Sequence, residues 1–274
     1  YRTSKGDLTT NIIDQKEKAT YAFSDDMIRR MFNHLNYGRT NGAVSHISER
    51  QGCSPNDKCG IMIDYDIETT HEKPLLTERH YRKITSALVS VLRRDLNFGK
   101  VDEAKVHVFF ITKPHTVLID AGSSVPTYRY GFHILIPGIK VDRQYKRSLI
   151  AKFRANSAVA SVLRDIGVIG DIASTLDMNS ASVPILFLGS CKNGGTPYNL
   201  SASLECTIEI SDDEYPAPIM VQLLPDEILS KYNMVAELSV TIEAEYSDNA
   251  PLVEMIEYCA NDTTAVVDGI DDGD

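Results

Sequence analysis

Two segments of this chain each carry one wholly apolar face and one face loaded with reactive side chains. The first is Gly60-Ile61-Met62-Ile63-Asp64-Tyr65-Asp66-Ile67-Glu68. Side chains of a β-strand alternate sides, so Ile61, Ile63, Tyr65 and Ile67 enter a core together while Asp64, Asp66 and Glu68 project from the other side. The second is Tyr128-Arg129-Tyr130-Gly131-Phe132-His133-Ile134-Leu135-Ile136. Here Tyr128, Tyr130, Phe132, Ile134 and Ile136 make the apolar face, and Arg129, Gly131 and His133 the opposite one. Carboxylates two residues apart on a strand are separated by about 7 Å, a span that a divalent cation can bridge. An imidazole on a neighbouring strand reaches a ligand of that cation. The pattern predicts a metal-dependent active site on the face of a sheet.

With 274 residues, 43% of them apolar, the chain has enough material for one large domain or two small ones and is not generally disordered. The apolar runs near Phe132–Ile139 and Val183–Leu188 are far too short to cross a bilayer, so no membrane partner is expected. The chain opens on Tyr1 and a polar stretch, which predicts an excised fragment without a signal peptide. Cys53, Cys59, Cys191, Cys206 and Cys259 are odd in number and contain no CxxC pair, which points to free thiols in a reducing compartment. The net charge of −10 is unevenly spread. From Tyr232 to Asp274 there are eleven acidic residues and no Lys or Arg, leaving 28 basic against 27 acidic residues over 1–231. Contact of the main body with a polyanion is therefore compatible with its charge.

Thr9–Ile13 and Ala19–Phe23 read as a hairpin. Ser24-Asp25-Asp26 caps a helix with Met27, Ile28, Met31, Phe32 and Leu35 as its apolar positions. Strands are expected at Ala43–Ile47, Val106–Ile111, Val183–Leu188 and Leu204–Ile210. Helices are expected over Thr77–Leu96, Asp142–Phe153 and Ala158–Ile166, and an acidic disordered tail from Asn261. Strands and helices mix without strict βαβ alternation, which predicts an α+β fold.

Repulsion between Asp64 and Asp66 is relieved by a cation, and hard oxygen ligands favour Mg²⁺ or Mn²⁺. The same pair also suits a strand end running into solvent, and a strand ending in DxD occurs in glycosyltransferases as well. Gly131, on the face of His133, leaves room for a ligand. The turn Gly189-Ser190-Cys191-Lys192-Asn193-Gly194-Gly195 suits phosphate oxygens through backbone N–H groups and a lysine, and equally reads as an ordinary polar turn. The GxxxxGK[ST] and GxGxxG spacings are absent, which excludes a P-loop motor. Lys140, Arg143, Lys146, Arg147, Lys152 and Arg154 spread along one helical flank, either as a solvated face or as a contact to a template backbone.

Ile63-Asp64-Tyr65-Asp66, then Gly131-Phe132-His133, then Leu176-Asp177 followed by Gly189-Ser190-Cys191-Lys192, resemble in order motifs I, II and III of the archaeo-eukaryotic primase superfamily. Tyr-Gly-Phe-His-Ile-Leu-Ile-Pro-Gly, Asp-Met-Asn-Ser-Ala-Ser-Val-Pro and Glu49-Arg50-Gln51-Gly52 are most similar to primase–helicases of large cytoplasmic DNA viruses, the asfarvirus-like branch before the poxviruses. The resemblance covers about 40–240. It implies an RRM-like catalytic sheet with flanking helices beside a smaller N-terminal α/β unit. It further implies a primase-polymerase domain over 1–240, and an acidic segment over 241–274 leading to a helicase region elsewhere in the polypeptide.

The resemblance also implies Asp64, Asp66 and Asp177 as ligands of two Mg²⁺ or Mn²⁺ ions. His133, Lys192 and Ser190 would contact the incoming nucleotide triphosphate, with Arg50, Arg129 and Gly131 beside them. The implied partners are single-stranded DNA template and NTPs or dNTPs, and the implied place is the viral replication site in the host cytoplasm. Relatives often carry Gly, Ser or Thr where this chain has Gly131, the smallest of these and without a hydroxyl, and an arginine where it has Leu186. The alternatives to primer synthesis are a recruiting domain that binds single-stranded DNA for the helicase, or a DxD glycosyltransferase. The latter leaves His133, Asp177 and Lys192 without a role.

Overall fold

The computed structural model describes residues 2–3, 11–51, 57–73, 76–98, 103–120, 125–209, 218–242 and 251–260. Gly52, Cys53 and the expected tail from Asn261 lie outside these. The first elements are β1 (Arg2–Thr3), β2 (Ile12–Asp14), β3 (Ala19–Tyr21), α1 (Asp25–Thr40), β4 (Ile47–Glu49) and β5 (Cys59–Thr69). Then come α2 (Glu78–Asp95), β6 (Leu96–Asn97), β7 (Glu103–Thr112), β8 (Val117–Asp120), β9 (Thr127–Val141), α3 (Arg143–Arg154) and α4 (Ser157–Asp165). After two short 3-10 turns follow β10 (Ile185–Leu186), β11 (Asn199–Glu209), β12 (Ile219–Leu223), α5 (Pro225–Lys231), α6 (Met234–Glu237), β13 (Ile256–Glu257) and β14 (Cys259–Ala260).

The order β5-α2-β7-β9-α3-α4-β11 is the β-α-β-β-α-β succession of a split βαβ unit. Its sheet runs β12-β11-β7-β9-β5, with every neighbouring pair antiparallel. A smaller antiparallel sheet, β1-β3-β2-β4-β10, forms the N-terminal unit together with α1. The fold is α+β, as the mixed pattern predicts.

Two cores grip the main sheet from opposite sides. On one side Ile61, Ile63, Tyr65, Ile67, Phe132, Ile134 and Ile136 meet the apolar stripes of α2, α3 and α4. Each such fully buried side chain contributes about 1.5–3 kcal/mol, so β5 and β9 are fixed by the face that points away from the reactive residues. Tyr65 and Phe132 stack with centroids 4.6 Å apart. On the other side Met62, Leu135, Phe109 and Ile111 pack under α1, α6 and the small sheet through Ile28, Phe32, Leu35 and Phe187.

The helix boundaries agree closely with the sequence reading because capping residues mark them. Thr77 and Asp142 are N-caps, and Asp142 accepts the Tyr145 amide at 2.7 Å. Ser24 occupies the N-cap position of α1 without a side-chain cap bond. Three expectations need correction. The strand expected at Ala43–Ile47 forms later, as β4, with Ser45 making a single bridge to Ser190. Of the run Val183–Leu188 only Ile185–Leu186 pair as a strand.

The third correction is the boundary at 240, which falls inside the folded body. Ile256–Glu257 join β9 in parallel, and Cys259–Ala260 pair with β6. Val253 is buried in the second core. Two buried carboxylates hold this region. Glu49 accepts hydrogen bonds from Ser239 Oγ, the Val240 amide, and the amide and hydroxyl of Thr241. Glu237 accepts the amides of Leu252 and Val253.

Candidate active site

Exposure along β5 shows where a site can open. Met62 is 2% exposed beneath the N-terminal unit, Asp64 is half-buried, and Asp66 and Glu68 are exposed. The reactive residues thus emerge from under the cover in steps of two. Register places Asp64 opposite His133, Asp66 opposite Gly131 and Glu68 opposite Arg129. Directly opposed residues share a face, so the two loaded faces read from sequence are one continuous strip.

His133 Nε2 lies 3.1 Å from Asp64 Oδ1. The imidazole is mostly covered by the ring of Tyr198, whose centroid is 4.1 Å away, and its Nδ1 is buried without a hydrogen-bond partner. His133 therefore stands on the predicted face, but its immediate partner is a carboxylate. Burial, the largest single influence on Asp64, raises its pKa. The charge and hydrogen bond of His133, with Lys113 and Lys192, outweigh that and bring it below the ordinary value. Asp64 is thus ionised at neutral pH.

Lys113 and Tyr198 escaped the sequence reading. Lys113 follows β7 directly, and its amide donates to the Gly131 carbonyl at 3.2 Å. A Cβ placed on Gly131 would sit 3.1 Å from the Tyr198 hydroxyl and 3.5 Å from Lys113 Nζ. Gly131 is thus the floor of a cradle walled by those two side chains. Tyr198 immediately precedes β11, whose Asn199 pairs with Thr112. Only that long-range register brings it to the site; no local spacing announces it. Burial first, then Asp64 and Asp66, push its phenol pKa far up.

The third motif arrives differently from its expectation. The Asp177 amide donates to the Asp64 carbonyl at 3.1 Å, so the backbone adjoins β5. Its carboxylate, however, caps the turn Met178–Ala181 by accepting the Asn179 amide at 2.8 Å. Among the described residues, no three or more Asp, Glu, His and Cys side chains cluster closely enough to hold an ion. What the fold offers a hard divalent cation is the pair Asp64 and Asp66, oxygen donors on one face with Asp64 ionised. That pair suits Mg²⁺ or Mn²⁺, while one oxygen of Asp177 is taken by its cap.

The Gly189–Gly195 turn is built as a rigid corner. Gly189 has φ +80° with Arg39 lying over it, Cγ 3.0 Å from where a Cβ would be, so only glycine fits. Ser190 is fully buried and its hydroxyl bonds to that of Ser45, so the expected phosphate contact is replaced by an internal one. Lys192 is exposed and close enough to Asp64 for its charge to be felt there. Arg129 pairs with Glu68 at 3.4 Å on the outer part of the strip. Arg50 follows β4, with its amide bonded to the Asn11 carbonyl. Leu186 packs into the second core and pairs with Ser48, so that position offers no charge.

Three of the six basic residues of this flank are engaged within the fold. Lys146 is 2% exposed, bonded to Gln51 Oε1 at 2.6 Å and Cys59 Sγ at 2.9 Å. Lys152 pairs with Asp95 at 2.7 Å, and Arg154 donates to the Leu176 carbonyl. The helix packs on the sheet face opposite the reactive strip.

The sequence profile of the family described as "C962R protein N-terminal AEP domain" matches residues 10–204. The chain is 32% identical over 268 residues to a protein named "Putative primase C962R" from African swine fever virus isolate Pig/Kenya/KEN-50/1950. It shows the same identity and coverage against the protein of that name from isolate Warthog/Namibia/Wart80/1980 and from strain Badajoz 1971 Vero-adapted. The match covers 97% of this chain and 25% of those relatives.

Proposed function

Since the chain belongs to the archaeo-eukaryotic primase superfamily, in the asfarvirus C962R family, we propose that it makes nucleic-acid primers for viral DNA replication by joining nucleoside triphosphates on a single-stranded template. The observation that carries this reading is the strip on which Asp64 and His133 meet across β5 and β9, flanked by Asp66, Gly131, Lys113 and Lys192.

Primer synthesis by phosphoryl transfer requires that a dense negative charge be held in line with an attacking hydroxyl. Asp64 and Asp66 would hold the divalent cation, which when bound lowers the pKa of a 3′-hydroxyl and screens the triphosphate. Lys192 is exposed on the turn that follows Gly189, where its ammonium would meet the phosphates. His133 keeps Asp64 oriented through the 3.1 Å contact, and the Tyr198 ring restrains the imidazole in turn. Asp177 fixes the strand through its amide, and only one of its two carboxylate oxygens is used by the Asn179 cap.

Because the chain spans a quarter of its relatives' length, the helicase region belongs to this proposal as a partner on the same polypeptide. The test is incubation with single-stranded DNA, labelled NTPs or dNTPs, and Mg²⁺ or Mn²⁺, with products resolved by length. Wild type should give template-dependent products. Asp64→Ala and Asp66→Ala should each reduce incorporation at least about a hundredfold with unchanged circular dichroism. Undiminished synthesis by either variant refutes the assignment. Template binding without any synthesis by wild type identifies a recruiting domain instead.

A further inference from the structure

We propose that Lys113 is a second triphosphate-binding cation, acting with Lys192. The inference deepens the proposed function and rests on it. Lys113 is tied to the site by its backbone, through the 3.2 Å bond to the Gly131 carbonyl, so its side chain starts at the strip itself. Its Nζ stands 3.5 Å from the space above Gly131 and 5.5 Å from the centre of the Tyr198 ring. Among the described residues no carboxylate lies within ion-pair distance of this ammonium.

Arg129, another cation on the strip, is engaged with Glu68 further out along the strands. Lys113 is half-buried against an aromatic face, a setting that strengthens its attraction for an anion relative to a fully hydrated lysine. The absent side chain at Gly131 lets the Tyr198 hydroxyl and Lys113 Nζ close in over one point of the strip, so the two groups stand side by side there. The charges of both Lys113 and Lys192 favour the ionised form of Asp64.

The experiment compares wild type, Lys113→Ala, Lys113→Arg and Lys105→Ala. Lys105 lies on β7 and pairs with Glu205 at 3.2 Å, so it controls for loss of one positive charge outside the site. Two readouts are taken: the apparent nucleotide KM in primer extension, and the affinity for inorganic tripolyphosphate. Lys113→Ala should raise KM and weaken tripolyphosphate binding by about tenfold or more, with a smaller change in kcat. Lys113→Arg should recover most of both, and Lys105→Ala should match wild type. An active wild type whose KM and tripolyphosphate affinity are unchanged by Lys113→Ala overturns the Lys113 assignment alone. A wild type that makes no primers yet loses tripolyphosphate on Lys113→Ala sinks primer synthesis while supporting the anion site. A wild type that neither makes primers nor binds tripolyphosphate sinks both.

Discussion

The ring of Tyr198 covers the imidazole of His133 at 4.1 Å while its hydroxyl leans into the space that Gly131 leaves free. One side chain therefore restrains the histidine and shapes the cradle. Truncating this buried ring by Tyr198→Ala should destabilise the fold by about 3 kcal/mol. Tyr198→Phe keeps the ring and should stay within about 1 kcal/mol of wild type. Denaturant midpoints measure both, and equal stability of the two variants would remove Tyr198 from this role. Asp64, Asp66, Gly131 and His133 are readable from the sequence because strand periodicity assigns a face to every second residue. Lys113 and Tyr198 are not, because each sits just beyond a strand end, where periodicity stops. The Asp177 carboxylate and the Ser190 hydroxyl show the reverse limit: motif order places their backbones, but local hydrogen bonds decide where the side chains are used.

At the scale of elements, α2, α3 and α4 follow their sequence patterns because an amphipathic stripe and a cap are local properties. β10, β12 and β13 are short and owe their existence to partners far along the chain, so no local pattern reveals their pairing. The same holds for the segment beyond 240, whose acidic composition suggests a linker. Two internal carboxylates bind this region instead. Burial raises the pKa of Glu49 and of Glu237, more than the hydrogen bonds they accept lower it. The folded chain therefore holds these protons more tightly than the unfolded chain. Their contribution to stability is fully present below the ordinary value of 4.5 and is lost as pH rises through the folded values. Replacing both, Glu49→Gln with Glu237→Gln, should flatten this component of the stability curve above pH 4.5. Parallel curves for wild type and double variant, measured by denaturant unfolding across that range, would contradict the assignment.

For the whole molecule, the main sheet is held between two cores of different extent. Helices cover one face along its length, whereas the N-terminal unit covers the other only as far as Met62, Ile111 and Leu135. Where the second cover stops, the strip of Asp64, Asp66, His133 and Gly131 opens, and Lys113 and Lys192 border it. The acidic excess of the chain lies largely after residue 231, which leaves the main body near neutrality and able to approach a polyanion. The central claim is that this strip grips a divalent cation and a triphosphate together. Crystals of the wild-type protein grown with Mn²⁺ and a non-hydrolysable nucleoside triphosphate test it directly through the anomalous signal of manganese. The account predicts a peak bridging Asp64 and Asp66, with triphosphate oxygens within hydrogen-bond distance of Lys113 and Lys192. A nucleotide and manganese bound elsewhere, with Asp64 still paired to His133 alone, would contradict it.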